Sequence, residues 1–287
     1  MPDLQCAWVL LLMSCGLRAN YHLRTQRLEQ VLKYAKGHDE GMWRTLCKLL
    51  GREDLKEDAS GLAAWVAQLP LRLGGGGLRS AQRCSEAAYW ASWADTLPMM
   101  RTRNAAMARK ILEQLQGEAR PNPCVEEARK ARTRLQAAGW DNCPDWQEVW
   151  DGRRPENVED AEPGEWRHGW QYYAASLLEN QFRDGAVLPA MTSASQALLR
   201  SQAGPGAGAC LTALPCDEAW TVEPSHFRLV LLRRLRLELP LDVRRCKCGR
   251  RVDALGDHRA ACATVGKLAR RALPLERAWA RGSYAYK

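Results

Sequence analysis

Within the 287 residues, three cysteines and a histidine fall in one short stretch, CKCGRRVDALGDHRAAC at 246–262. Cys246, Cys248, His258 and Cys262 follow the spacing C-x-C-x9-H-x3-C. Three thiolates and one imidazole are a ligand set that zinc takes tetrahedrally, and four protein ligands leave no position open for water or substrate. The chemistry expected is therefore structural Zn2+ binding rather than catalysis. His258 and Cys262 stand four apart, so one helical face presents both. Gly249, directly after the second thiol, permits a tight turn whose N–H groups point toward sulfur. The C-x-C pair is tighter than the C-x2-C of most zinc sites, and the bland alternative is four such residues close by chance.

Nine cations flank this cluster: Arg233, Arg234, Arg236, Arg244, Arg245, Lys247, Arg250, Arg251 and Arg259. Basic side chains on a small metal-fixed module can follow a phosphate backbone with little sequence preference. A solvated charged face is the alternative. The formal net charge is +9, and residues 225–287 alone hold 16 Lys and Arg against 5 Asp and Glu, so the basic surface belongs to the C-terminal fifth. The partner expected is DNA or RNA backbone, bound with low sequence specificity, and not a membrane.

Other chemistries lack their residues. No adjacent aspartate pair, G-x-S-x-G, H-E-x-x-H or P-loop is present, and Gly74–Gly77 are followed by no Gly-Lys-Ser/Thr. No active site is expected, and the chain is not read as an enzyme. The composition, 46% hydrophobic and 26% charged with a mean hydropathy of −0.43, is that of a folded globular chain. Residues 6–17 are apolar, but an acid and no Lys or Arg precede them. They read as a core helix rather than a signal peptide, and the location expected is nuclear or cytoplasmic, not secreted.

The elements that must position these residues are almost all helical, so the fold class expected is mainly α. Periodicity predicts helices over 4–17 (buried on most sides), 40–50 (ending at Gly51), 59–69, 79–95, 103–116, 124–138, 165–182, 193–202 and 225–239 (ended by Pro240). The stretch 140–164 carries Pro144, Pro155, Pro163, Gly152 and Gly164 and is strongly acidic, which reads as a linker. Four segments follow: a helical region 1–139, the linker 140–164, a helical connector 165–224 with a break at AGPGAGA, and 225–287, a basic helix plus zinc-knuckle-like module.

The ordered features are AWVLLLMSCGLRANYHLR, KGHDEGMW, LPLRLGGGGLRSA, a Trp-rich helix, SQAGPGAGACLTALP, LVLLRRLRLELPL and CKCG…GDHRAAC. In this order they resemble the region downstream of the polymerase palm in reverse transcriptases of non-LTR retrotransposons, over about residues 5–285. The resemblance implies that 5–100 correspond to the thumb side, a helical unit that grips template–primer. It implies that Cys246, Cys248, His258 and Cys262 are the cysteine–histidine motif preceding an endonuclease, with neighbouring arginines holding nucleic acid. LPLRLGGGGLRS resembles the family's LP-x3-GGLGLRS, with Gly76 where leucine is usual. The palm would lie before residue 1 and the endonuclease after 273–281. The expectation is thus a non-catalytic, truncated remnant that lacks its palm partner. The rival reading is a helical protein–protein interaction module anchored by Trp90, Trp93, Trp166 and Trp170.

Overall fold

The computed structural model describes residues 3–55, 58, 61–155, 169–241 and 245–265, and the chain is mainly helical. Among the described residues there is no strand, only one isolated antiparallel bridge between Arg245 and Arg251. The predicted helices are present, with shifted ends. They are α1 (Leu4–Leu10), α2 (Ala19–Thr25), α3 (Leu28–Leu50), α4 (Leu62–Gln68), α5 (Ala81–Arg103), α6 (Ala105–Gln116) and α7 (Pro123–Ala137). Then come α8 (Trp146–Trp150), α9 (Trp170–Phe182), α10 (Ser193–Ser201), α11 (Ala209–Thr212), α12 (Pro224–Arg234) and α13 (Asp257–Ala261). Gly51 ends α3 in the left-handed region at φ +63°, where lack of a Cβ removes the steric cost.

Among the described residues three apolar cores form, and the two larger each gather distant parts of the chain. The first joins Trp8 and Leu12 to Trp43, Leu46, Val66 and Leu69, and then to Leu199, Leu211, Phe227 and Leu231. The second joins Trp90 and Leu97 of α5 to Leu112, Leu135, Trp146, Val149 and Trp170. The segments read from the sequence are therefore not separate packing units: 1–139, 165–224 and 225–237 share one core. Glu179 of α9, 1% exposed, accepts from Arg83 of α5 at 3.2 Å, and burial raises its carboxyl above the ordinary range despite that partner.

The acidic stretch differs from the linker expected over 140–164. Asp145 and Glu148 form a capping box that starts α8, and Cys143, Trp146, Val149 and Trp150 are buried in the second core. The remainder, 156–164, lies outside the described residues. The helix at 4–17 also departs from a fully buried one. It passes into a π-helical turn over Leu11–Cys15, and Leu10, Met13 and Leu17 face solvent.

Glycines 74–77 pack instead of cradling a phosphate. A Cβ on Gly75 would stand 2.3 Å from Leu69 Cβ, so only glycine fits against α4. The N-terminus of α5 is filled by the chain's own carboxylate: Asp39 accepts from Ser80 Oγ (2.6 Å), Ala81 N (2.7 Å) and Gln82 N (3.1 Å).

Helix α12 stops at Arg234, well before Pro240. Arg236 takes φ +58°, its N–H donates to Arg233 O, and Leu237 N–H donates to Leu232 O. This is a Schellman ending built on a non-glycine residue, and that backbone costs about 1 kcal/mol.

Candidate metal centre

The chain after α12 folds back in two short pieces that carry the four candidate ligands. In the first, Gly249 N–H donates to Cys246 O and Cys246 N–H donates to Arg250 O, both at 2.9 Å. Gly249 sits at φ +84°, so the turn predicted from its position is formed and presents Cys246 and Cys248 on one side. The second piece is α13, which supplies His258 and ends at Cys262. All four ligand atoms lie within 4.8 Å of one another. Cys246 Sγ is 3.7 Å from Cys262 Sγ, and Cys248 Sγ is 3.2 Å from His258 Nε2. A tetrahedral metal with sulfur at 2.3 Å would hold two sulfurs about 3.8 Å apart, so the cluster has the dimensions of a coordination sphere. Arg250 N–H favours the Cys248 thiolate, but desolvation and hydrogen bonds with Cys262 and Cys246 push that thiol above its ordinary value. A bound dication would reverse this balance. Cys210 and Cys216 are exposed and stand outside the cluster.

Two aspartates that ligand spacing does not reveal hold the module together. Asp253 accepts from Asp257 N–H (3.0 Å) and His258 N–H (2.7 Å), capping α13. Burial opposes its ionisation, but these N–H bonds prevail and hold its carboxyl below the usual carboxylate range. Asp257 docks the module on α12, accepting from Arg236 at 2.9 and 2.8 Å and from Arg233 at 3.2 Å. Leu239 N–H donates to Ala254 O (2.9 Å) and Arg233 Nη1 to Leu255 O (3.0 Å), completing the attachment. The available signal was the presence of two acids four apart within an otherwise basic run. Asp253→Ala is expected to weaken metal binding by about tenfold through misplacement of His258, read by competition with a chromophoric chelator.

The nine flanking cations divide into two groups. Arg234 is 7% exposed and donates to four backbone carbonyls: Gly75 (2.7 Å), Leu71 (3.0 Å), Ala207 and Gln202 (both 3.4 Å). Burial lowers its guanidinium below the ordinary value. The side chain of Arg236 is 6% exposed and engaged by Asp257, which also pairs with Arg233. These three were expected at phosphates; Arg234 and Arg236 are instead buried and occupied by the fold, and Arg233 is neutralised. Arg244 lies outside the described residues. Arg245, Lys247, Arg250 and Arg251 are exposed around the Cys246–Gly249 turn, with Arg259 half-buried on α13. Among the described residues none of the five pairs with a carboxylate.

The tryptophans expected to anchor a protein partner are largely inside. Trp90 is fully buried and Trp170 7% exposed, in edge contact with each other at 5.7 Å beside Trp140 and Trp146. Trp93 is half-buried, and Trp166 lies outside the described residues. Core packing claims Trp90 and Trp170 because each buries a large apolar surface. No described helix is long and apolar enough to cross a membrane. Comparison with family models, with curated proteins and with solved structures finds no match to this chain.

Proposed function

We propose that this chain is a non-catalytic nucleic-acid-binding unit whose Cys246, Cys248, His258 and Cys262 bind structural Zn2+ and fix a basic turn against DNA or RNA backbone. The single observation that carries this reading is the juxtaposition of a four-ligand cluster with exposed Arg245, Lys247, Arg250 and Arg251 that have no described carboxylate partner. Three thiolates with one imidazole favour zinc among common divalent ions, since hard cations prefer oxygen. When bound, the ion supplies cross-linking of the two pieces; the chain's own residues do the rest. Asp253 holds the His258 backbone in place, Asp257 fixes the module to α12, and the exposed cations meet phosphates without reading bases. The order of motifs supports descent from the thumb and cysteine–histidine region of a non-LTR retrotransposon reverse transcriptase.

The test is binding of the purified chain to duplex DNA and RNA over a salt series. Reversing Arg245, Arg250 and Arg251 to Glu is expected to cut low-salt affinity by more than tenfold and to flatten the dependence on log salt by about three contacts. Salt-independent binding, or binding indifferent to those reversals, would overturn the reading.

A further inference from the structure

We infer that α2 and the first half of α3 form a second nucleic-acid surface, one that stacks unpaired bases on the rings of Tyr21, His22 and Tyr34. The rings make consecutive edge contacts, with centroids 5.6 Å apart for Tyr21–His22 and 5.0 Å for His22–Tyr34. Tyr21 is 71% exposed and Tyr34 43% exposed, and Leu17, one helical turn before Tyr21, is 67% exposed. Large aromatic groups left this open on a folded chain, side by side on two helices, are unusual enough to point to a ligand.

The charge around the rings chooses the ligand. Residues 17–36 carry Arg18, Arg24, Arg27, Lys33 and Lys36 against the single acid Glu29. Arg24 is held by Asp95 at 2.7 Å, while Arg18 and Lys33 are exposed and, among the described residues, pair with no carboxylate; Lys36 lies on the other side of α3, in a groove it shares with Asp39 and Glu40. Flat rings rimmed by unpaired cations match a strand that offers base faces and phosphates together. A duplex conceals its base faces in the stack, so the match is to unpaired DNA or RNA. Buried Leu23, Val31 and Ala35 fix the two helices against Ala81 and Ala88 of α5, so the rings stand on a rigid base. The surface shares no residue with the metal module, and the two can fail separately.

The experiment is fluorescence anisotropy of the full chain with three probes: an oligothymidylate of about 12 nucleotides, an abasic deoxyribose-phosphate strand of the same length, and a duplex. The wild type is expected to prefer the oligothymidylate over the abasic strand by about tenfold or more. Tyr21→Ala with Tyr34→Ala should abolish that preference while leaving duplex binding within about twofold, and Tyr21→Phe with Tyr34→Phe should retain it. Equal wild-type affinity for the abasic strand and the oligothymidylate would overturn the inference, even if the alanine variant failed to fold. So would a parallel loss of duplex binding in a folded alanine variant. Sedimentation that showed self-association abolished by the same alanine pair would assign the face to a second copy and would also overturn it. Charge reversal of Arg250 and Arg251 should lower binding of all three probes, which separates failure of the metal-module reading from failure of this one.

Discussion

Arg234→Ala is expected to be the most damaging single substitution on α12, costing about 3–5 kcal/mol of stability in urea denaturation followed by helical circular dichroism. Among the described residues the guanidinium pairs with no carboxylate; backbone carbonyl dipoles solvate its charge, with the best bonds to Gly75 (2.7 Å) and Leu71 (3.0 Å). A buried hydrogen bond to a charged group contributes about 1.5–3 kcal/mol, and Gly75 O would be left without this donor on truncation. Arg234→Met keeps the apolar stem and should recover part of the packing but none of the bonds. Arg234→Lys should also fail, because one ammonium cannot span the carbonyls of the glycine turn and the 202–207 loop at once. A fully stable Arg234→Ala variant would show that the guanidinium is not holding the glycine turn to α12.

Removing the metal is the second large effect expected. Structural zinc in small modules contributes apparent binding energies of about 10–16 kcal/mol near neutral pH, and that energy is folding energy. The purified chain should carry one zinc by mass spectrometry, lost in a Cys246→Ser, Cys248→Ser variant. On chelation, amides of the two ligand-bearing pieces, 246–262, should lose their protection from hydrogen exchange. The loss should reach Leu239, which is paired with Ala254, and should release Arg236 from Asp257. The two larger helical cores should keep their protection, since their buried residues end at Leu237 and Ala175. Acid should mimic the chelator: bound ligands are deprotonated, so protons compete with the ion as pH falls. Unchanged exchange in metal-free protein would refute a structural role for the ion.

Much of the helical plan was legible because its punctuation is local. Gly51, Pro70, Gly117 and Gly139 mark ends that α3, α4, α6 and α7 respect. The four ligands were legible for the same reason, since all of them lie within seventeen consecutive residues. What escaped depends on tertiary contact. Arg234 and Arg250 look alike in a sequence, and only the glycine turn, far away in the chain, decides that one is buried and the other wet. The Asp145–Glu148 pair is a capping signal, yet Pro144, Gly152 and Pro155 around it conceal a helix of little more than one turn. Its Trp146 faces Trp90, a relation that no local pattern encodes.

The first core has a consequence for how the chain is made. Gln5 donates to the carbonyls of Ala213 and Trp220, and Trp8 donates to Leu211 O, so α1 binds elements over two hundred residues downstream. At synthesis speeds of about 5–20 residues per second, α1 waits roughly 10–40 s for those partners to emerge from the ribosome. The second core needs nothing beyond Leu178 and can close during that interval. A nascent chain therefore holds α1 against α3 and α4 alone, with the rest of its apolar surface uncovered until residues 211–231 emerge.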